Sequence, residues 1–251
     1  MSAESLVESG AALRLPEVPR IIVGRGRVLY VGPGLDLRPH RNAAATVAIG
    51  LEAPFDLELI APVAAASSPH TVALIEPGTM HHLRAHGAMA FLYLDGLGDD
   101  VEVLARGLSG GCVGQVAAAA THPGTRVLGA VVEALGLRDL QVSEALAPTV
   151  REIDQRPEDF PRLVDAAAHA GLSESRFRHV FREVVGMPFR RYRLWRRMAV
   201  VASELSHGRT LTQAALAAGF ASSAHFSESF RKMFGMTASD LLRTGARFEF
   251  A

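Results

Sequence analysis

Two stretches in the C-terminal part of the chain repeat one another. Residues 163–187 (LVDAAAHAGLSESRFRHVFREVVGM) align with residues 211–236 (LTQAALAAGFASSAHFSESFRKMFGM). Each copy has an alanine-rich segment, then a glycine, then a serine, then two phenylalanines four residues apart. This order predicts a short helix, a tight turn and a second helix, which is the helix-turn-helix layout. One such unit is a weak signal, but two copies of it are a much stronger one.

The residue types at the turn fit this interpretation. Gly171 and Gly219 can adopt the positive φ that a tight turn between helices often needs. Ser173 and Ser222 can cap the helix that follows. The paired phenylalanines anchor one face of that helix and leave the other face outward.

The segment that joins the two units is compatible with one continuous helix. Residues 188–208 begin with Pro188, which suits a first helical turn, and end at Gly208, which suits a helix stop. A helix of about 18 residues rises about 27 Å. That length would set the two units about one DNA turn apart, so that they could enter successive major grooves on one face of the duplex. Tyr192 and Trp195 are expected to lie in the core.

Charge is divided unevenly along the chain although the net charge is zero. Residues 1–147 carry 10 Lys+Arg against 15 Asp+Glu, and residues 148–251 carry 16 against 11. The excess is sharpest in residues 161–197, with nine arginines against three acidic residues. Such asymmetry favours an anionic partner for the C-terminal half, although a solvated basic face would produce the same count.

AGLSESRFRHVF, the joining segment with Tyr192 and Arg196, and LTQAALAAGFASSAHFSESFRKMFGMTASDLLR resemble the DNA-binding domain of AraC-type transcriptional regulators. The resemblance covers roughly 40% of the chain. It implies two helix-turn-helix subdomains that read adjacent major grooves, and it is specific.

The resemblance assigns roles to individual side chains. Arg178 is expected to pair with a guanine, because its planar fork matches O6 and N7. Glu228 departs from a DNA-facing pattern, since a carboxylate is repelled by phosphate unless it accepts from a cytosine amino group. The expected base contacts are Ser175, Arg178, His179, Ser223, Ala224, Ser227 and Glu228. The expected phosphate contacts are Arg176, Arg182, Arg196, Arg231 and Lys232. Solvent-facing helix residues would show the same periodicity.

The N-terminal half has a different sequence pattern. Short apolar runs between residues 20 and 105 are broken by Gly, Pro, Asn and His, which predicts a small antiparallel barrel or sandwich. Residues 64–70 are expected to form a loop, and only helical periodicity is seen after Arg162. PGLDLRPHRN (33–42) and EPGTMHHL (76–83) are similar to the two short motifs of cupin barrels.

The cupin resemblance leaves the ligand open. Asn42 stands where a metal-binding cupin has its second histidine, and no glutamate follows at 43–47, so no metal and no cofactor are predicted. His40, His81 and His82 are candidates for an effector pocket, and structural histidines are an equal alternative. The apolar stripe of residues 124–136 either packs on the chain's own barrel or pairs two chains; we favour the second, a homodimer.

The predicted organisation is an α+β multidomain chain. Residues 1–147 form a cupin-like β-barrel followed by helices, 148–160 a linker rich in proline and charge, and 161–251 an all-α domain with two helix-turn-helix subdomains joined by a linker helix. One cysteine, Cys112, excludes an internal disulfide and fits a reducing compartment. There is no signal peptide and no apolar run long enough for a membrane span, so a cytoplasmic protein is expected.

The predicted function is a sequence-specific transcriptional regulator that binds double-stranded DNA and responds to an unknown small-molecule effector. RNA polymerase would be a further partner if the protein activates transcription. Two alternatives stay open: a metal-dependent cupin enzyme with an appended DNA-binding module, and a non-specific architectural DNA binder. Against the enzyme, no nucleophile, base and acid are arranged together, so no catalytic residue is predicted.

Overall fold

The computed structural model describes residues 15–24, 26–35, 37–60, 68–94, 99–108, 110–137, 146–185 and 187–250. Its N-terminal part contains nine strands. They are β1 (Arg20–Val23), β2 (Arg27–Pro33), β3 (Leu37–His40), β4 (Ala45–Gly50), β5 (Phe55–Leu59), β6 (Ser68–His70), β7 (Val72–Ile75), β8 (His81–Arg84) and β9 (Ala88–Leu94). The predicted β-rich region is confirmed.

Ten helices follow among the described residues, with a short 3₁₀ turn at Gly110–Cys112. They are α1 (Asp99–Gly107), α2 (Val113–Ala120), α3 (Arg126–Ala134), α4 (Ala147–Gln155), α5 (Leu163–His169), α6 (Glu174–Val185), α7 (Phe189–Ser206), α8 (Leu211–Ala217), α9 (Ser223–Phe234) and α10 (Ala238–Arg243). The chain then forms a last strand, β10 (Arg247–Phe250).

The strands form two sheets. The larger sheet has the order β10-β1-β2-β9-β4-β7, and the smaller has the order β3-β8-β5-β6. All pairs are antiparallel except β1 with β10, which run parallel with Arg20 opposite Arg247 and Val23 opposite Phe250. The C-terminal end of the chain therefore extends the sheet that its N-terminal part begins.

The two faces of the larger sheet pack against different partners, because successive side chains of a strand point to opposite faces. Ile22, Leu29 and Leu92 share a core with α2 and α3. Ile21, Tyr30 and other alternate residues share a second core with the smaller sheet and with the C-terminal helices. The sheet is thus buried on both sides, which explains why β4 and β9 are buried along their whole length.

The stripe of residues 124–136 packs on the chain's own sheet. Val127, Leu128, Val131 and Val132 are buried in the core they share with β1, β2, β4 and β9. The structure thus shows packing within one chain, and not the pairing of two chains that we favoured from the sequence. The apolar stripe is occupied within one chain, so it offers no dimer face.

The segment predicted to be the linker, residues 148–160, is mostly helix α4, because Pro148 lies in its first turn and Pro157 follows its last. Three other expectations from the sequence were wrong in detail. Ser68–His70 forms β6 instead of loop, and residues 64–67 lie outside the described part of the chain. Helix α1 begins before residue 105, and strand β10 interrupts the all-helical pattern near the C-terminus. Strand β10, with four residues, is too short for a periodic signal.

Candidate nucleic-acid interface

Each repeat folds into a pair of helices joined at a glycine. In the first unit α5 packs against α6, and in the second α8 packs against α9. Gly171 and Gly219 have φ values of +65° and +75°, as the turn prediction required. Ser173 accepts a hydrogen bond from the amide of Arg176, and Ser222 accepts one from the amide of His225. Both serines therefore cap their helices.

The phenylalanines of each second helix point into the core. Phe177 and Phe181 are buried, and both rings contact Phe189 at the start of α7. Phe226 is buried in the second unit and contacts Phe220 and Phe230. Burial of one such side chain contributes about 1.5–3 kcal/mol to folding. These anchors fix which face of α6 and of α9 is left outward.

Helix α7 joins the two units as the sequence predicted. It spans 18 residues, Pro188 is its N-cap, and Gly208 directly beyond its C-cap has a φ of +80°. Its rise is about 27 Å. Tyr192 and Trp195 are buried, as expected.

The outward face of α6 carries the residues predicted to contact DNA. Ser175, Arg178, His179 and Arg182 are all exposed, as is Arg176 beside them. His179 Nε2 lies 3.8 Å from the carboxylate of Glu183, one turn further along the helix. Among the described residues neither Arg178 nor Arg182 has an ion pair, so both guanidinium groups are available to an anionic ligand.

The outward face of α9 is less able to read bases. The Ser227 hydroxyl donates to the Ser223 carbonyl at 2.8 Å, and Ala224 has no polar side chain. Glu228 accepts from Lys232 Nζ at 2.6 Å. That hydrogen bond and the lysine's charge hold the pKa of the Glu228 carboxyl below its usual value, so Glu228 carries a negative charge that Lys232 offsets. Arg231 is exposed on the same stretch.

Arg196 makes a different contact from the phosphate contact that we expected. Its Nε atom is 3.0 Å from the carboxylate of Asp154 on α4, and its guanidinium also donates to the Asp154 carbonyl. Tyr192 donates to the same carboxylate. The side chain is only 19% exposed. The expected phosphate contact is thus corrected to an ion pair that fixes α4 on α7.

The three candidate histidines lie near one another on β3 and β8. The rings of His40 and His81 meet edge to face, with centroids 4.3 Å apart. Their Nδ1 atoms bond to the carbonyls of Arg38 and Thr79. Burial lowers the pKa of both, that of His81 to about 4. Within the described chain there is no group of three or more His, Cys, Asp or Glu that could hold a metal ion.

An apolar cavity lies between the larger sheet and the C-terminal helices. The three histidines are not among its lining residues. Its walls are formed from the sheet by Ile21, Val23, Val28, Tyr30, Tyr93 and Phe248, from the helices by Met198, Ala202, Phe230, Phe234 and Leu241, and from the segment between α9 and α10 by Met236.

These features define the class of the C-terminal domain. Residues 166–244 match the family described as "Helix-turn-helix domain". The C-terminal domain is an AraC-type helix-turn-helix domain, the DNA-binding domain of AraC-type transcriptional regulators.

Particular proteins similar to this chain have also been found. The transcriptional regulators MxiE of Shigella flexneri and of Shigella sonnei are each 31% identical over 81 residues, or 32% of this chain. The match spans 39% of the length of these curated relatives.

Some alignments with solved structures extend beyond the C-terminal domain. ToxT from Vibrio cholerae aligns over 87% of this chain and 98% of its own, with 12% identity and a TM-score of 0.47. ToxT with a bound unsaturated fatty acid gives 14% identity, 87% and 95% coverage, and a TM-score of 0.49. An AraC-type DNA-binding domain protein from Chromobacterium violaceum is 26% identical over 38% of this chain and 87% of its own, with a TM-score of 0.35. No helix in the described ranges is long and apolar enough to cross a membrane.

Proposed function

We propose that the protein is a sequence-specific transcriptional regulator that binds double-stranded DNA through its two helix-turn-helix units. The observation that carries the proposal is the outward face of α6. There Arg178, His179 and Arg182 are exposed beside one another, on a helix whose opposite face is fixed by buried phenylalanines. A rigid helix that presents an unpaired guanidinium can enter a major groove and pair with guanine O6 and N7.

The two units divide this work unequally. In the first unit Arg178 contacts a base, with Ser175 and His179 beside it, and Arg176 and Arg182 contact phosphates. In the second unit Arg231 and Lys232 contact phosphates, while Ser223, Ala224, Ser227 and Glu228 face the groove. Because Ser227 and Glu228 already bond within α9, the second unit supplies mainly phosphate contacts and shape readout.

We also propose that a small, largely apolar effector controls this activity. The supporting observation is the apolar cavity, whose walls come from both the sheet and the C-terminal helices. A ligand that enters it would contact Tyr93 on β9 and Phe234 on α9, whose ring centroids lie 5.1 Å apart. Binding there would favour one placement of α9 relative to the sheet, because a ligand shifts an equilibrium only by contacts that differ between two states.

Replacement of two neighbouring arginines of α6 tests the DNA-binding proposal. The protein is first given a duplex enriched by in vitro selection from random sequences. In Arg178→Ala, discrimination at one base pair of that duplex should fall by about 1–3 kcal/mol. In the matched variant Arg176→Ala, affinity should fall evenly for the selected duplex and for random ones.

Fluorescence anisotropy with single-base variants of the duplex measures both effects. A uniform loss in Arg178→Ala, with no base pair affected more than the others, would contradict direct readout and would favour a non-specific architectural binder.

A further inference from the structure

A loop of the N-terminal part is joined to the end of α9. This loop, residues 40–43, begins at the last residue of β3 and leads toward β4. The amide of Ala43 donates to the carbonyl of Lys232 at 2.8 Å, and Arg191 on α7 donates to the carbonyl of Ala43 at 2.7 Å. The loop therefore lies beside the two residues of α9, Arg231 and Lys232, to which phosphate contacts are assigned above.

The approach is close enough to require glycine at residue 235. Gly235 ends α9 with a φ of +75°, where a residue with a side chain is strained. A Cβ atom on it would also overlap the His40 ring and the Asn42 amide oxygen. The 40–43 loop therefore packs against the end of α9 through His40 and Asn42, the residues on either side of Arg41.

Arg41 is the exposed cation of this loop. It lies between His40 and Asn42, and it is exposed although Asn42 is buried. Among the described residues it has no ion pair or hydrogen bond through its side chain. Arg41 is two residues from Ala43, so its Cα lies within about 8 Å of that residue's Cα. It therefore adds an unneutralised positive charge near the end of α9.

The basic residues of α9 lie at the end of the helix that contacts the 40–43 loop. Ala224, Glu228 and Arg231 follow one another at helical spacing along the outward face, and Arg231 and Lys232 are exposed at its end. Lys232 is partly offset by Glu228. Arg41 continues the same basic surface from a different domain.

We propose that Arg41 is a DNA phosphate contact, so that the N-terminal domain itself binds the DNA backbone next to the second helix-turn-helix unit. This rests on the proposed DNA-binding function and deepens it. The ligand is the phosphodiester backbone of duplex DNA and not a base, since a single flexible guanidinium on a loop positions a duplex without reading its sequence.

The test is the salt dependence of DNA binding by the full chain. Each phosphate that a protein neutralises contributes about 0.9 to the slope of log K against log salt concentration. Arg41→Gln should reduce the slope by about that amount and weaken binding equally for selected and random duplexes. Arg41→Lys, which keeps the charge, should keep most of the slope. The control is Arg126→Gln on α3, an exposed arginine on the helices that cover the opposite face of the sheet, and it should bind as the wild type does.

Each outcome decides the proposal. An unchanged slope in Arg41→Gln, while the wild type binds DNA, would overturn the Arg41 contact and leave the proposed function standing. Tighter binding by Arg41→Gln would show that the loop opposes DNA, and would also overturn it. A wild type that binds no duplex at any salt concentration would remove the proposed function itself.

Discussion

At the scale of single residues, the two outward faces show what a sequence can and cannot predict. Arg178 and His179 are exposed where the spacing of the phenylalanines predicted them, because helical periodicity alone decides which side chains share a face. Arg196 was misplaced because its partner, Asp154, lies 42 residues away on the segment predicted to be the linker. Local spacing carries no information on such a partner.

His81 provides a prediction on pH. The pKa of its imidazole is lowered to about 4, mainly by burial and also by the neighbouring His40 and His82, while the hydrogen bond to the Thr79 carbonyl acts in the opposite direction. In the unfolded chain the pKa is about 6.5. The neutral form is favoured by folding, so its contribution to stability is present above about pH 6.5 and is lost as pH falls toward 4.

Urea unfolding at pH 7 and at pH 5 measures this contribution. The wild type should lose about 1–2 kcal/mol more than His81→Gln between the two values. The exposed His179→Gln should behave like the wild type. Equal losses in the wild type and His81→Gln would show that His81 does not carry the pH dependence.

At the scale of elements, the repeat predicted more than the single segments did. The two helix pairs, their turns and α7 were all predictable, because glycine, serine and phenylalanine recur in the same order. Strand β10 was not, since four residues give no periodicity and its partner β1 lies more than 220 residues earlier in the chain. The bidentate pair of Arg20 with Glu249 fixes that contact in a way that only the folded structure reveals.

Gly235, which ends α9, has a left-handed backbone and also lies against residues 40–43, so its substitution has two effects that can be separated. Gly235→Ala should cost about 1 kcal/mol for the left-handed backbone, and it should also displace residues 40–43 from α9. Gly208→Ala at the end of α7 has the same backbone cost, but a Cβ there would meet no atom within 4 Å.

Hydrogen exchange at the Ala43 amide distinguishes the two variants. Exchange should accelerate in Gly235→Ala, which loses the bond to Lys232, and stay slow in Gly208→Ala. Protection of Ala43 that is the same in both would mean that the loop tolerates a side chain at residue 235.

At the scale of the whole molecule, the sheet and the DNA-binding helices form one continuous structure. One core contains residues from β1, β2 and β9 together with residues from α6, α7, α9 and α10. The sequence predicted the two parts separately and placed a linker between them. It could not predict their contact, because the residues that meet there, such as Tyr93 and Phe234, are indistinguishable in sequence from ordinary core residues.

The central claim is that the two helix-turn-helix units bind one face of a duplex together, at a distance set by α7. The direct test is the affinity of the protein for a selected duplex before and after insertion of five base pairs between its two half-elements. The insertion moves one half-element to the opposite face, because a full turn takes about 10–10.5 base pairs. We predict that affinity falls to that of a duplex with only the first unit's half-element. Unchanged affinity after the insertion would contradict the claim that both units bind at once.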